Sequence, residues 1–350
     1  MIFRSRKKSG STATLGGPAA EVAAGRSTEE LVTEIEELTR SNSERRDADT
    51  ETRLVALRHA AGVQLLEASA GGADYPEPAF DQLPGRNGEL AGITPEQLTP
   101  EILRAGILRD GCLLVRGVLS QDDVAGLVQQ IQSAFDARDA LQAGQPADDG
   151  YYHEFVPDPR FAGEEGGRDW VAGGGGIWVA DSPHLMFEML NSFDRAGLTR
   201  VINGYLGERP TISVQKCTLR KVEPDAGHGW HQDGAFMGDV RALNVWLSLS
   251  RCGDEAPGMD IVPRRLDHLV PSGTDGAIFE WSVSQKVAEE AAGETGIVRP
   301  IFEPGDVLLF DDLFLHSTAA EPSMKKSRMA IESWFFGASA SPAEYAPLAV

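Results

Sequence analysis

The sequence predicts an α+β protein in which helices precede an antiparallel barrel or double-sheet jelly roll. From residue 211 onward, short apolar segments alternate with turn residues at short spacing, which is typical of such sheets. Before residue 211, apolar residues recur mainly at steps of three and four, which is typical of amphipathic helices. The segments predicted as strands in the later half are 211–221, 243–248, 258–262, 296–302, 306–310, 313–317 and 328–336.

Composition excludes several classes of protein. The 350 residues are 41% hydrophobic, and no run approaches the ~18 consecutive apolar residues of a membrane span. Lys and Arg number 32 against 53 Asp and Glu, so the net charge of −21 disfavours nucleic-acid binding. Cys112, Cys217 and Cys252 form no C-x-x-C pair, which argues against a zinc cluster or a disulfide framework and indicates a reducing, cytoplasmic location.

The N-terminal quarter is expected to lie outside the main domain. Residues 1–26 begin with basic residues and continue with Gly, Ser, Thr and Ala, so we expect a flexible tail and no signal peptide. Residues 27–75 are predicted as a helical extension that begins with a capping box, Ser27 with Glu30. We expect it to pack on the main domain or to join two copies as a homo-oligomer. The apolar positions of its two helices are Leu31, Ile35 and Leu38, then Leu54, Leu57, Ala61 and Leu65.

Residues 76–350 are predicted as the main domain, with its strand-rich core at about 211–340. Thr99-Pro100 marks the start of a helix that stops before Gly111, and a buried strand, 112–118, follows. Ser120 caps the next helix, and a further helix is expected near 183–206. The intervening stretch, 143–176, is rich in Gly, Pro and acidic residues, which favours a binding loop or lid.

The first candidate for chemistry is His231 with Asp233. On a strand, residues two apart face the same side, so this imidazole and carboxylate could share one metal ion. The spacing alone does not distinguish the motif from a chance triplet. A facial triad needs a second histidine, and His316 ends a late predicted strand. Arg328 begins the next strand, and hairpin pairing would place its guanidinium beside the metal, where it could clamp a carboxylate.

These residues and their flanks resemble one known family. The order His-x-Asp, distal His and Arg looks like the phytanoyl-CoA dioxygenase family of Fe(II)/2-oxoglutarate-dependent oxygenases. The matching flanks are 111–120, 230–234 and 305–316, and the resemblance covers about 98–336. It departs at 262–268, where the family often has a Pro-Gly-Ser-His turn. The resemblance implies a cupin-like double-stranded β-helix with flanking helices.

The resemblance also implies a site. It implies that Fe(II) is bound by His231, Asp233 and His316, and that O2 and 2-oxoglutarate are cosubstrates. Arg328 would pair with the distal carboxylate of 2-oxoglutarate. Two further residues would lie near the cosubstrate, namely Thr318 and Gln215. No catalytic residue is expected beyond the metal ligands.

The expected reaction is hydroxylation of a small or lipid-like metabolite, with release of succinate and CO2. The acid at Asp233 favours hydroxylation, because related halogenases replace it. Desaturation, ring formation or halogenation by the same oxidative chemistry remain alternatives, as does a catalytically silent jelly-roll protein that only binds a ligand. Trp230, Phe236 and Trp246 are candidates for lining the substrate cavity, although aromatic residues in strands are also typical of plain core.

Overall fold

The computed structural model describes residues 17–69, 71–72, 74–85, 90–146, 150–161, 167–226 and 229–350. Its helices are α1 Gly17–Ala23, α2 Thr28–Glu44, α3 Ala48–Ala68, α4 Pro100–Asp110, α5 Gln121–Gln142, α6 Arg168–Gly173, α7 Pro183–Arg195, α8 Leu198–Leu206, α9 Gly234–Met237 and α10 Gln285–Ala292. Its strands are β1 Gly92–Ile93, β2 Cys112–Val115, β3 Gly176–Trp178, β4 Pro210–Val222, β5 Ala242–Ser248, β6 Gly258–Ile261, β7 Val307–Phe310, β8 His316–Ala319, β9 Arg328–Gly337 and β10 Pro347–Ala349.

Two sheets form the jelly roll that the sequence predicts. The larger has the order β1-β2-β7-β5-β9-β4-β10, with β3 also paired to β4, and only β1 and β2 run parallel. The smaller sheet pairs β6 with β8, and a bridge between His231 and His316 extends it. An aromatic core that includes Trp246, Phe310 and Trp334 lies between the sheets, while helices cover the outer face of the larger one. The predicted α+β fold with a double-stranded β-helix is confirmed.

Local signals account for several element boundaries. Thr99 accepts a hydrogen bond from the Ile102 N–H and caps α4, which ends at Gly111 with a φ of 77°. The prediction of one helix over 183–206 is wrong, because Gly197 adopts a φ of 75° and separates α7 from α8. The predicted strand 296–302 is reduced to two bridges, at Val298 and Phe302, because Pro300 has no N–H to donate to a ladder.

The helical extension is docked on the larger sheet through β10. Ser27 and Glu30 form the predicted capping box at the start of α2. His59 of α3 lies 2.8 Å, at Nδ1, from the carbonyl oxygen of Pro347, and Arg58 donates to the carbonyl of Ala349. Residues 1–16 of the expected tail lie outside the described residues. The prediction that flexibility continues to residue 26 is wrong for Gly17–Ala23, because this alanine-rich segment forms α1 and packs on α3.

Two further observations concern the length of the helices and the state of the cysteines. Among the helices described, none has both the length and the apolar character needed to cross a membrane. Cys112, Cys217 and Cys252 are all free and buried. Homo-oligomerisation through the N-terminal helices stays a prediction.

Candidate metal centre

Side chains from two distant parts of the sequence converge beside the smaller sheet. His231, Asp233 and His316 each offer one ligand atom, and these atoms lie within 4.8 Å of one another. The Nε2 atoms of His231 and His316 lie 3.9 and 3.8 Å from Oδ2 of Asp233. The two imidazole centroids are 4.4 Å apart. Two nitrogens and one oxygen therefore face a common point, as a facial triad requires.

The backbone at His231 and Asp233 differs from the prediction that both residues lie on one strand. His231 pairs with His316 through two backbone hydrogen bonds, but the regular pairing ends there. Asp233 has helical φ and ψ of −62° and −25° and precedes the single turn α9. His316 begins β8 instead of ending a strand, because 311–314 form a turn in which the Phe314 N–H bonds to Asp311. The carboxylate thus approaches from a helical turn and the imidazoles from paired backbone.

Backbone carbonyls fix both imidazoles. Nδ1 of His231 lies 2.9 Å from the Gly229 carbonyl oxygen, and Nδ1 of His316 lies 3.1 Å from that of Phe314. A carbonyl can only accept, so in the neutral form of each imidazole Nδ1 carries the proton and Nε2 keeps the free lone pair. Burial, followed by the neighbouring His231, lowers the pKa of His316 to about 4, so its imidazole is neutral at physiological pH.

The carboxylate of Asp233 is buried and only half satisfied. Its Oδ1 accepts a hydrogen bond from Nζ of Lys216 at 3.1 Å, whereas its Oδ2 has no hydrogen-bond partner. Burial raises the pKa of Asp233, but Lys216, then His231 and His316, outweigh this and set it at about 2. A buried, charged oxygen without a partner is costly, and a divalent cation between it and the two Nε2 atoms would satisfy it. The donor set fits a metal ion such as Fe(II).

A buried cation lies deeper between the sheets. Arg328 begins β9 as predicted, and its Nη1 donates to the Gly258 carbonyl at 2.9 Å while its Nε has no partner. Its guanidinium carbon lies 5.4 Å from the ring centroid of Trp246. The predicted hairpin is wrong, because β8 pairs with β6 and β9 with β4 and β5, so the guanidinium comes from the opposite sheet. Thr318 lies half-buried on β8, on the same face as His316.

Two of the predicted site residues are directed elsewhere. Gln215 donates to the Phe161 carbonyl at 3.0 Å and accepts from the Ala346 N–H at 2.9 Å, so its amide is occupied by backbone groups away from the triad. Trp230 donates to Gln285 and packs in a separate apolar cluster with Val262, Leu266 and Leu315 among others. The expectation that Trp230 lines the cavity is therefore wrong, because it alternates with His231 and faces the other way.

Three residues at the site were missed by sequence reasoning. Lys216 follows Gln215 and takes its place beside Asp233, and Asn244 lies on the inner face of β5 with both side-chain amide atoms buried and unpaired. Trp281 lies 6.1 Å from His231 and 5.8 Å from Phe236 between ring centroids. For Lys216 the signal available in the sequence was the alternation of polar residues at 216, 218 and 220, and for Asn244 it was a single polar residue within the apolar segment 242–247.

Comparisons with known proteins place the chain in a family. A search of curated proteins finds no significant match. The structure is similar to EctD from S. alaskensis with 2-oxoglutarate and 5-hydroxyectoine, at 19% identity and a TM-score of 0.46, covering 77% of this chain and 85% of that chain. It is also similar to the non-heme alpha ketoglutarate dependent carbocyclase SnoK from nogalamycin biosynthesis, at 17% identity, a TM-score of 0.46 and coverages of 71% and 87%. The family model for phytanoyl-CoA dioxygenase (PhyH) matches residues 107–330, more than half of the chain. The chain therefore belongs to the phytanoyl-CoA dioxygenase family and is an Fe(II)/2-oxoglutarate-dependent oxygenase.

Proposed function

We propose that this oxygenase hydroxylates a small-molecule substrate and that His231, Asp233 and His316 hold its Fe(II). The observation that carries the proposal is the unpaired, buried Oδ2 of Asp233, which faces the free Nε2 atoms of both histidines. In enzymes with this ligand set, iron and 2-oxoglutarate supply the oxidising chemistry, with release of succinate and CO2. The protein contributes ligand geometry, cosubstrate binding and exclusion of water.

Arg328 is suited to bind the cosubstrate. A dicarboxylate needs a fixed positive charge at the end remote from the metal, and Arg328 is 5% exposed with an unpaired Nε. Thr318 offers a hydroxyl on the same face as His316. Asn244 adds an unpaired donor and acceptor on the inner face of the larger sheet. The unpaired atoms of Arg328 and Asn244 are what a polar molecule enclosed in the roll would satisfy.

Hydroxylation is favoured over halogenation because the acid at position 233 is retained. A carboxylate ligand there occupies the position that a halide would need on the metal. The neighbouring Lys216 holds this carboxylate in its charged form and in one orientation. Desaturation and ring formation are distinguished from hydroxylation by the mass of the product. A cytoplasmic location stays a prediction, supported by the three free cysteines.

The test uses the full chain without any substrate. Fe(II) and 2-oxoglutarate are added anaerobically to metal-free protein, and the visible metal-to-ligand charge-transfer band is recorded for the wild type, His316→Ala and Asp233→Ala. His153→Ala is the matched control, because His153 is exposed and lies in the segment 150–161, outside the segments that carry the triad. We expect the band in the wild type and the control, and its loss in both triad variants. A folded wild-type protein that binds Fe(II) without giving the band contradicts the proposal.

Oxygen is then admitted to separate the enzyme from a protein that only binds its ligand. Slow formation of succinate from 2-oxoglutarate is expected in the wild type even without substrate, and none is expected in His316→Ala. A silent binding protein would keep 2-oxoglutarate and form no succinate. Product mass in a later substrate screen decides the outcome of the reaction, since hydroxylation adds one oxygen atom.

A further inference from the structure

Exposed aromatic side chains are concentrated beside the candidate metal centre. Trp170 is 63% exposed and Phe279 is 48% exposed, and Ile278, next to Phe279 in sequence, is 64% exposed. Trp281 joins them, since its ring is stacked on Phe279 at 5.0 Å and 6° and lies edge-on to Trp170 at 6.0 Å. We call Trp170, Phe279 and Trp281 the aromatic rim.

The aromatic rim is continuous with the triad. Trp281 contacts Trp170 on the solvent side and both His231 and Phe236 on the inner side, with ring centroids 6.1 and 5.8 Å away. An unbroken aromatic path therefore leads from solvent to a proposed metal ligand. Continuity with the place of reaction indicates that the occupant of the rim is the substrate, since the reacting carbon must lie near the metal.

Both segments that carry the rim are held in place. Trp170 lies on α6, and Arg168 of this helix makes two bonds, each of 2.7 Å, to the buried carboxylate of Asp181. Phe279 closes a turn in which its N–H bonds to the hydroxyl of Ser282 at 2.9 Å. Exposed aromatic rings on anchored backbone lose little conformational entropy on binding, which is a property of recognition surfaces.

The chemistry of the surface selects one class of ligand. Aromatic rings arranged face-on and edge-on favour a planar or cyclic partner, because stacked and T-shaped ring pairs contribute beyond the area that they bury. The net charge of −21 disfavours polyanionic carriers such as coenzyme A thioesters. Lys216, the cation at the inner end of the path, is already paired with Asp233.

We propose that the aromatic rim binds an uncharged, ring-bearing body of the substrate and thereby sets the specificity of the enzyme. The proposal rests on the proposed function, because it takes the triad as the place of reaction. Trp281 is the central specificity residue, since its ring joins the other rim rings to His231 and Phe236. A straight acyl chain would gain only the apolar contact and no ring pairing.

The experiment measures binding of 2-naphthol, a neutral bicyclic probe, to the full chain loaded anaerobically with Fe(II) and 2-oxoglutarate, by equilibrium dialysis. We expect Trp281→Ala to raise the Kd about tenfold, because it removes the central ring, and Phe279→Ala to raise it about threefold, because it removes only an outer ring. Trp281→Phe should recover most of the affinity. Phe80→Ala is the matched control, because Phe80 is 49% exposed and is absent from this aromatic path.

A competition arm separates ring recognition from general apolarity. We expect 1-decanol, which has as many non-hydrogen atoms as 2-naphthol, to displace the probe only at concentrations about tenfold higher. The inference is overturned if the wild type does not bind 2-naphthol, if Trp281→Ala and Phe279→Ala bind it as the wild type does, or if 1-decanol competes equally. Each variant must retain the charge-transfer band, so loss of the band in the wild type reports failure of the proposed function instead.

Discussion

Nζ of Lys216 lies 3.1 Å from Oδ1 of Asp233, so a half-buried lysine holds the one carboxylate of the candidate metal centre. The bond leaves Oδ2 directed towards His231 and His316. Mutation of a neighbour that orients a metal ligand commonly lowers metal affinity or activity by about 10–100-fold. The side chain of Lys216 also lies 5.4 Å from the ring of Phe236, which limits its rotation.

We expect Lys216→Met to weaken Fe(II) binding about tenfold, because the carboxylate of Asp233 loses the group that fixes its rotamer. Methionine keeps the length and apolar stem of lysine and so preserves packing. The measurement is an anaerobic Fe(II) titration followed by the visible band in saturating 2-oxoglutarate. Lys286→Met is the control, because Lys286 is a surface residue on α10. Unchanged Fe(II) affinity in Lys216→Met would show that the ion pair has no part in metal binding.

Arg328→Met is expected to raise the 2-oxoglutarate concentration needed for half of the full band by roughly ten- to a hundredfold. A charge-assisted hydrogen bond is worth about 1.5–3 kcal/mol, and each 1.4 kcal/mol changes an equilibrium constant tenfold. Fe(II) affinity should stay unchanged, since the guanidinium is not a metal ligand. Arg53→Met, on the exposed side of α3, should behave as the wild type. If Arg328→Met reaches half of the full band at the same 2-oxoglutarate concentration as the wild type, Arg328 does not bind the cosubstrate.

The sequence was sufficient to predict the ends of an element where neighbouring residues determine them. The cap at Thr99 and the left-handed Gly111 determine the ends of α4 through neighbouring residues alone. The side of β4 on which the side chains of Gln215 and Lys216 lie is determined instead by pairing with a distant strand. The pairing of β4 with β9 changes register between Ile212 and Cys217, and a slip of one residue exchanges the two faces of a strand. The bulge therefore brings Lys216 to the triad where the sequence pointed to Gln215.

The remaining differences between the predicted and the observed site concern residues that the fold brings together from distant parts of the chain. Trp230 adjoins His231 in sequence yet faces a separate cluster, whereas Trp281, fifty residues further along the chain, lies beside it. Nothing in the residues around Trp281 indicates this, because a long loop without periodicity brings it there. The site formed by His231, Asp233, His316 and Arg328 could be predicted because their order along the chain resembles the family motif.

Two glycines in helices allow a matched test of how the helical extension docks. A Cβ added at Gly62 of α3 would lie 2.8 Å from the carbonyl oxygen of Pro347, whereas one at Gly126 of α5 would meet nothing within 4 Å. Alanine favours a helix over glycine by up to about 1 kcal/mol. We expect Gly126→Ala to raise the free energy of unfolding by that amount. Gly62→Ala should lower it by about 1–3 kcal/mol, because overpacking outweighs propensity.

Urea denaturation of both variants measures these changes. Loss of stability in Gly62→Ala, with a gain in Gly126→Ala, would show that α3 and β10 unfold together with the rest of the domain. A gain of similar size in both variants would mean that α3 does not need its close approach to Pro347. The extension would then be separable from the jelly roll.

The buried His59 makes stability depend on pH. Its Nδ1 donates to the Pro347 carbonyl and its Nε2 accepts from the N–H of Asp158 at 2.9 Å, an arrangement that only the neutral imidazole can make. Burial lowers the pKa of His59 below its ordinary 6.5, and this outweighs the bond to Pro347 and the charge of Asp158. The unfolded chain therefore binds more protons than the folded one as the pH falls through about 6.5. Stability from this residue is present above that pH and is lost progressively towards the lowered pKa.

We expect the wild type to lose more free energy of unfolding between about pH 7.5 and about pH 5 than His59→Gln does. The variant should be less stable at the higher pH by about 1–3 kcal/mol, since one buried bonding partner is lost. Urea denaturation at both values gives the two differences, and groups that titrate in both proteins, such as His316, cancel between them. Equal pH dependence in His59→Gln and the wild type would show that His59 accepts a proton in the folded state as readily as in the unfolded chain, and would contradict the neutral imidazole that joins α3, β10 and the Asp158 loop.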